Sequence, residues 1–405
     1  MAQASPWVTP VSGNAIDCRP VDFDLSVDQE ALRDAAGDLL DRFADHDALR
    51  ARVGDGVVVG TLPGTASPVD DRKDNGAPTG YDRSVWTAMA DQGWLALELP
   101  ESEGGLELGM VEIAVLCEQI GRRLVAAPFL STILALGALS QPEARAVEAT
   151  AAWRSALSDG RAVGCLAFDP TGVLTATDDG DRVRLAGKLT PTLYAPSADV
   201  AVLLTPDATY AVDLAAQGQP APLPAMDRTR ELGVIELAGA PAWRVGGPEA
   251  TTLLGDRAAT GSSAEMLGAA DHVLNMSVAY AKDRVQFGKP IGSFQAIKHM
   301  LADALVDLEG MRSTAYYAAW CVSALDPERS LAASMAKSWC SDASKRIMAA
   351  GLQVHGGIGF TWEHDMHLYV KRAQLDQVGF GDAPFHRDRI ATMLQERLEV
   401  RQEMS

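Results

Sequence analysis

Cysteine is scarce in this chain, and the few cysteines form no motif. Five are spread over 405 residues, and no two of them make a Cys-x-x-Cys pair. An odd number of widely separated cysteines is typical of reduced thiols and does not fit a disulfide framework. We therefore expect a cytoplasmic protein whose stability depends on an apolar core.

Long hydrophobic runs are missing from the sequence as well. No apolar stretch reaches the roughly 18 residues that a membrane span needs. Residues 1–24 contain no basic region followed by an apolar core, so no signal peptide is predicted. The sequence therefore predicts no insertion into a membrane.

Positive charge is in short supply. The chain has 35 Lys and Arg against 54 Asp and Glu, which gives a formal net charge of −19. Such a surplus of negative charge opposes binding to nucleic-acid phosphates or to an anionic membrane surface. We expect neither of these as a partner.

The hydrophobic pattern divides the chain into three regions. Residues 26–150 carry a helical period that begins at Ser26, and Ser26 with Gln29 forms a capping-box pattern. Residues 151–250 contain short β-type runs separated by Pro, Gly and Asp, at residues 162–168, 182–189, 199–204, 210–214, 233–237 and 243–245. Residues 251–405 return to the helical period. The pattern predicts an α+β protein with an N-terminal helical domain, a middle β-barrel or sandwich domain and a C-terminal four-helix bundle.

The pattern also predicts where individual elements begin and end. In the first region a helix runs from residue 27 to about residue 51, and a long loop follows over residues 52–80. The four helices predicted for the last region cover residues 258–284, 294–308, 331–351 and 383–402.

A first polar segment lies between two of these predicted helices. Residues 284–295 read Arg-Val-Gln-Phe-Gly-Lys-Pro-Ile-Gly-Ser-Phe-Gln. Arg284 closes one helix, where its charge complements the helix C-terminus. Ser293 is predicted to cap the next helix, and Gln295 lies in its first turn. A guanidinium beside a helix N-terminus is suited to a pyrophosphate.

A second polar segment follows at residues 353–357, which read Gln-Val-His-Gly-Gly. Gly356 and Gly357 carry no Cβ, so a ligand can approach the backbone closely there. Gln353 lies one helical turn earlier and can add a polar contact.

In this order and spacing, the two segments resemble the FAD-contacting signatures of the acyl-CoA dehydrogenase family. The N-terminal half is similar to the family as well, through Gly93-Trp94, residues 99–105 (Leu-Pro-Glu-Ser-Glu-Gly-Gly) and residues 118–121 (Glu-Gln-Ile-Gly). The resemblance covers about residues 26–395. It implies the family's fold, FAD as cofactor, and dehydrogenation of an acyl-CoA thioester between its α and β carbons.

The resemblance also implies roles for single residues. In the family, the Arg and Gln of the first segment contact the FAD of a neighbouring subunit, and the aromatic residue packs beside it. The cofactor-binding positions that the resemblance implies are Arg284, Phe287, Gln295, Gln353, Gly356, Gly357 and Gly381.

The catalytic position departs from the family pattern. Where the family usually has a Glu-Gly-Thr loop, this chain reads Phe380-Gly381-Asp382. A phenyl ring cannot accept the α-proton. A minority of the family places the base at a position that falls near Ala258, which is not acidic. The candidate bases that remain are Glu265, Asp256 and Asp382, and the sequence does not choose between them.

The β region departs from the family in a second way. Residues 166–172 read Leu-Ala-Phe-Asp-Pro-Thr-Gly where the family usually has a Thr-Glu-Pro segment, and residues 189–194 lack the usual Trp that covers the flavin ring. The residues that in the family contact a neighbour's FAD, in segments 284–295 and 353–357, keep the family pattern. This asymmetry resembles actinobacterial α2β2 acyl-CoA dehydrogenases of steroid side-chain degradation, in which one subunit carries the base.

Three functions therefore stay open. The chain is a dehydrogenase in a homo- or heterotetramer, a non-catalytic subunit that helps to bind a partner's FAD, or a flavoprotein with another reaction, such as oxidation by oxygen.

His364 and His367 invite a metal interpretation, but further ligands at matching spacing are not evident, so no metal is expected. His386, Arg387 and Arg389 form a basic cluster suited either to a CoA phosphate or to a salt-bridged helix face.

Overall fold

The computed structural model describes residues 25–43 and 80–403, together with Leu49 and Val53. The last part of the first predicted helix, residues 44–51 apart from Leu49, and the predicted loop over residues 52–80, apart from Val53 and Gly80, lie outside the described residues, as does Cys18. The other four cysteines are free and buried: Cys117, Cys165, Cys321 and Cys340.

The N-terminal region is helical, as predicted. Its first helix begins with the predicted capping box, in which the Ser26 hydroxyl accepts from the Gln29 main-chain N–H at 3.2 Å and the Gln29 side chain accepts from the Ser26 N–H at 3.0 Å. The boundary predicted between residues 150 and 151 falls within the last helix. The helices are α1 (Val27–Asp41), α2 (Arg83–Asp91), α3 (Met110–Arg122), α4 (Phe129–Leu139), α5 (Pro142–Arg145) and α6 (Ala149–Ser158).

Six strands form one sheet in the middle region, in the order β1-β4-β5-β6-β3-β2. β1 and β4 are parallel, and all other neighbours are antiparallel. The sheet curls so that β1 also packs against β3. The strands are β1 (Gly164–Phe168), β2 (Thr175–Asp179), β3 (Arg182–Leu193), β4 (Val200–Leu204), β5 (Thr209–Asp213) and β6 (Leu232–Gly246), with the short helix α7 (Leu214–Gln217) after β5.

The last strand shows why the β pattern was broken in the sequence. β6 runs without interruption through two runs that were predicted as separate strands. Gly239 has a φ of 77° and is the extra residue of a bulge, since Leu185 pairs with Ala240 and Ala186 with Ala238. The bulge shifts the alternation of buried and exposed side chains, which is the signal that sequence patterns use.

The C-terminal region contains the four predicted helices and a fifth. The fifth, α11, packs against α10 and α8. No helix in the described part of the chain combines the length and hydropathy needed to cross a membrane. The elements are α8 (Pro248–Asp283), β7 (Val285–Gln286), β8 (Lys289–Pro290), α9 (Gln295–Ser323), α10 (Arg329–His355), α11 (Met366–Val378) and α12 (Ala383–Glu403).

The long helix α8 contacts both the N-terminal helices and the other C-terminal helices. It begins at Pro248, earlier than the predicted start at residue 258. Pro is favourable at the first helical position. The first part of the helix was not predicted because Gly255 lowers the helix propensity there. It packs closely on α3, where a Cβ at Gly268 would lie 1.8 Å from the Glu118 carbonyl oxygen and one at Gly121 would lie 2.0 Å from the Glu265 carbonyl oxygen. This close approach fixes the position of Glu265.

Candidate functional site

The Arg284–Gln295 segment begins as a surface hairpin. β7 and β8 pair across Phe287 and Gly288, which have φ values of 53° and 78°, as a tight hairpin turn requires. The Phe287 side chain is 91% exposed. Arg284 is exposed too, while its main-chain N–H still donates to the Tyr280 carbonyl at 2.8 Å. The hairpin therefore presents a phenyl ring and a guanidinium to the outside of the chain.

Helix α9 begins at Gln295, one residue after the predicted start at residue 294, so Gln295 lies in its first turn as predicted, and it is exposed. The predicted cap by Ser293 is wrong. A 3-10 turn occupies Ile291–Ser293, so Phe294 is the residue that precedes α9, and no described side chain caps that end. The Lys289 ammonium lies 4.4 Å from the centroid of the Phe294 ring.

The second segment lies at the end of α10. Gln353 and Gly357 are exposed. Gly356 has a φ of 60°, and no other described atom lies within 4 Å of a Cβ built at either glycine. The backbone there is open to close approach by a ligand.

An aromatic stack joins the two segments. The rings of Tyr280 on α8 and His355 on α10 have centroids 4.6 Å apart and planes 25° apart. Tyr280 lies one turn before Arg284, and His355 lies between Gln353 and Gly356. The structure therefore brings the predicted cofactor-contacting residues into one surface, apart from Gly381.

This surface lies far from the predicted catalytic position. Glu265 precedes Arg284 by 19 residues on α8, which is roughly 28 Å at the helical rise. Gly381 contacts Lys337 on α10, which lies 16 residues before Gln353, or roughly 24 Å along that helix. Arg284 and Gln353 therefore lie at the surface, roughly 24 to 28 Å from the predicted catalytic position.

The Phe380-Gly381-Asp382 loop connects α11 to α12 and is held by buried groups. The Phe380 carbonyl accepts from His386 Nε2 at 3.1 Å, and the Gly381 carbonyl accepts from Lys337 Nζ at 2.9 Å. Phe380 has a φ of 57° and Gly381 one of 96°. A Cβ at Gly381 would lie 2.4 Å from the Phe385 ring. Gly381 is required here by the loop itself.

Asp382 caps the next helix. Its carboxylate accepts from the Phe385 main-chain N–H at 2.9 Å, the usual contact of an N-cap residue with the third helical position. The basic residues nearby pair elsewhere, since Arg387 lies 2.7 Å from Asp342 and Arg389 lies 2.7 Å from Asp256. The cluster is thus a salt-bridged helix face.

Asp256 is fully buried in α8 and has two partners. The Ser330 hydroxyl donates to its Oδ2 at 2.6 Å, and the Arg389 guanidinium lies against its Oδ1. An acid held in this way has its oxygens directed at protein groups.

Glu265 belongs to a buried ion-pair network with Asp227, Arg230, Arg372 and Asp376. Arg372 Nη1 donates to Glu265 Oε1 at 2.8 Å, and its Nε donates to Asp227 Oδ2 at 3.0 Å. Arg230 donates to the same Glu265 oxygen and to Asp376 Oδ1. Each of these side chains is at least 93% buried. The network links the loop before β6 to α8 and α11.

Arg230, Arg372 and Asp376 were not recognised from the sequence. Arg372 and Asp376 are four residues apart on α11, so they share one helix face, and that spacing was a usable signal. No local pattern marks Arg230, because its partners lie 35 and 146 residues away in the sequence.

Two cavities meet at Phe380. One of about 30 Å³ lies beside the ion-pair network and is bounded by Tyr194, Arg230 and Asp376. The other, of about 220 Å³, lies between the ends of β1 and β4 and the helices α8 and α12. The Phe380 side chain lines both cavities and stands between them.

Burial shifts two titratable groups around this loop. It lowers the pKa of Lys337 to about 8, and it lowers the pKa of His386 to about 3 with help from the nearby Lys337 charge. An imidazole with so low a pKa stays neutral at pH 7 and is a weak proton acceptor.

The structure separates the two histidines of the metal interpretation. His364 lies in the turn before α11, where its Nδ1 accepts from the Met366 N–H at 3.1 Å, and His367 lies in the first turn of α11. Within the described ranges, no group of three or more His, Cys, Asp or Glu side chains is arranged to hold a metal ion.

The helical, β and helical regions in this order, together with the two surface segments, are the arrangement expected of an acyl-CoA dehydrogenase. A family model described as "Acyl-CoA dehydrogenase, C-terminal domain" matches residues 250–395, and one described as "Acyl-CoA dehydrogenase, N-terminal domain" matches residues 64–142. The acyl-CoA dehydrogenase IpdE2 of Mycolicibacterium smegmatis is 31% identical over 357 residues, which are 86% of this chain and 93% of that protein. The chain belongs to the acyl-CoA dehydrogenase family.

Two solved complexes contain similar chains. A chain of the ChsE4-ChsE5 complex from Mycobacterium tuberculosis aligns with a TM-score of 0.80 and 29% identity, over 93% of this chain and 99% of that one. A chain of the Tcur3481-Tcur3483 steroid ACAD aligns with a TM-score of 0.79 and 26% identity, over 92% of this chain and 99% of that one.

Proposed function

We propose that this chain is the non-catalytic subunit of a hetero-oligomeric, FAD-dependent acyl-CoA dehydrogenase. The observation that carries the proposal is the state of the acids around the predicted catalytic position. Glu265 is bound by two arginines, Asp256 is bound by Arg389 and Ser330, and Asp382 caps a helix. With Phe380 at the usual place of the base, each remaining candidate acid is engaged by groups of the protein itself.

The internal cavity supports the same proposal. At about 30 Å³ the cavity beside the ion-pair network is far smaller than the roughly 300 to 1,000 Å³ of a typical ligand pocket, so it does not fit a flavin ring. We therefore propose that the dehydrogenation does not take place in this chain's own core.

The surface segments do fit one side of a dinucleotide. Arg284 offers an exposed guanidinium, and Gly356 and Gly357 leave the backbone open. When FAD is bound, its flavin supplies the hydride acceptor for the β-hydrogen of the acyl-CoA. In our proposal Arg284, Phe287, Gln295 and the Gln353–Gly357 loop hold the FAD of a partner subunit. Because they lie roughly 24 to 28 Å from Gly381 and Glu265 at the predicted catalytic position, we infer that they serve a ligand on a neighbouring chain.

The proposed partner is another acyl-CoA dehydrogenase-like chain, one that carries the base. The likeness to chains of the ChsE4-ChsE5 and Tcur3481-Tcur3483 complexes supports a heteromer of two related subunits. The steroid ACAD among them supports a CoA thioester with a steroid or other bulky, branched acyl group as the substrate.

The test is the visible spectrum of the chain purified alone and after co-expression with an acyl-CoA dehydrogenase-like neighbour gene product. We expect a colourless protein alone. With the partner we expect a flavin band that a panel of acyl-CoA thioesters bleaches under anaerobic conditions. A yellow protein that is bleached by acyl-CoA without a partner would show that the chain is a dehydrogenase by itself.

A further inference from the structure

The buried ion-pair network is more than the fold needs for stability. Removing charged groups from water is expensive, and replacing a buried ion pair by apolar side chains is often neutral or stabilising. Here Arg230 and Arg372 face Asp227, Glu265 and Asp376, and the Lys337 charge acts on Asp376 from the side. Apolar side chains of the same volume would have stabilised the fold as well, so stability alone does not explain why the charged groups are present.

Much of the rest of the cavity wall is apolar. Cys117, Ile120, Phe129 and Leu130 line it together with the polar side chains of Ser131, Ser262 and Glu265. A wall of this kind is suited to an alkyl chain. Arg230 and Asp376 occupy the remaining side and leave only about 30 Å³.

Two polar atoms of this cavity have no hydrogen-bond partner among the described residues. They are the Tyr194 hydroxyl and Asp376 Oδ2, and both side chains line the cavity while being only 3% and 4% exposed. The space is large enough for a water molecule, which could bond to both. A methylene group in the same place would leave both atoms without any partner, which is strongly unfavourable.

We propose that the ion-pair network excludes acyl chains from this subunit. Arg230 and Asp376 fill a largely apolar chamber, and Tyr194 and Asp376 hold water in what remains. This inference rests on the proposed function, since it explains how one of two related subunits is kept free of substrate. An assembly of two chain types then binds one acyl-CoA for every two chains.

The test is the stoichiometry of octanoyl-CoA binding to the intact assembly, measured by titration calorimetry. The double variant Arg230→Ala with Asp376→Ala removes one charge of each sign and leaves Arg372 paired with Glu265 and Asp227. We expect the ratio to rise from about one octanoyl-CoA per two chains towards one per chain. The matched control is Arg397→Ala with Glu328→Ala, which removes a half-exposed ion pair and should leave the ratio unchanged.

A second variant covers the case in which the first does not fold. Arg230→Leu with Asp376→Leu keeps most of the buried volume but makes the wall apolar, and we expect a smaller rise in the ratio. A folded variant of either kind that still binds one octanoyl-CoA per two chains overturns the inference. If the unmodified assembly already binds one per chain, the proposed function itself fails, and the two failures are thus distinguished.

Discussion

Arg372 and Glu265 lie 107 residues apart in the sequence and meet in the core, where Arg372 Nη1 donates to Glu265 Oε1 at 2.8 Å. The guanidinium is fully buried and the carboxylate nearly so. Because Arg230 binds the same oxygen, Glu265 serves as an anchor for two cations from two other parts of the chain. In our proposal, this arrangement keeps Glu265 from acting as the catalytic base.

The first prediction concerns this anchor. Glu265→Ala leaves two buried arginines without their shared acceptor, and we expect the free energy of unfolding to fall by about 3 to 5 kcal/mol. Denaturant unfolding of the chain measures it. Glu328→Ala removes one partner of an exposed pair with Arg397 and should cost less than about 1 kcal/mol. Equal effects of the two variants would contradict the role of Glu265 as an anchor.

The second prediction concerns Arg284. If its guanidinium binds the partner's FAD, Arg284→Ala removes a charge-assisted hydrogen bond worth about 1.5 to 3 kcal/mol. We expect the Kd of FAD for the deflavinated assembly to rise roughly tenfold to a hundredfold. Arg284→Lys keeps the charge but loses the two-pronged geometry, so its effect should be intermediate.

The control for Arg284 is another exposed arginine. Arg387 pairs with Asp342 on the surface, so Arg387→Ala removes the same charge from a different place. The Kd of FAD should not change in this variant. An Arg284→Ala assembly with the same FAD affinity as this control would remove the surface hairpin from the cofactor site.

The third prediction is a pH dependence. Burial lowers the pKa of His386 to about 3, below the ordinary value of about 6.5 in the unfolded chain. The unfolded state therefore binds the extra proton first. The stability from His386 is fully present above pH 6.5 and is lost as the pH falls towards 3.

The variant His386→Gln removes this titration and keeps a hydrogen-bond donor for the Phe380 carbonyl. Between pH 7 and pH 5 the unmodified chain should lose about 2 kcal/mol more stability than the variant. Denaturant unfolding at the two pH values gives the difference. Parallel losses in both chains would show that His386 is not buried in its neutral form.

The fourth prediction tests whether the replacement of the usual base by Phe380 is the only obstacle to catalysis in the proposed non-catalytic subunit. Phe380→Glu restores a carboxylate at the usual catalytic position. Because the space beside the ion-pair network does not fit a flavin ring, we expect the purified variant alone to stay colourless and to leave acyl-CoA unoxidised. Acyl-CoA-dependent dye reduction by this variant without a partner would mean that the core retains a working flavin site.

Much of the fold could be predicted from the sequence because its signals are local. The order of helical, β and helical regions follows from the apolar periods, and Ser26 with Gln29 marks the start of α1. The exposed strand β2 was missed because all five of its residues face solvent and show no alternation. The cap at Ser293 was wrong because the 3-10 turn over Ile291–Ser293 moves the residue before α9 from Ser293 to Phe294, by one position.

The candidate site was only half accessible to sequence reasoning. The residues of the surface hairpin and the Gln353–Gly357 loop stand in short motifs, so their positions were predicted together. Arg230 and Arg372 find Glu265 only through tertiary packing, over separations of 35 and 107 residues. A single sequence contains no signal for such pairs, and this is why Glu265 was a candidate base before its partners were seen.

The most direct test of the account is the ratio of FAD to protein in the purified assembly, taken from flavin absorbance and from quantitative amino-acid analysis of both chains. The account predicts one FAD for every two chains, because this chain holds a partner's cofactor at its surface and the cavity beside its ion-pair network is too small for a flavin ring. A ratio of one FAD per chain would contradict it, since this chain would then carry a flavin of its own.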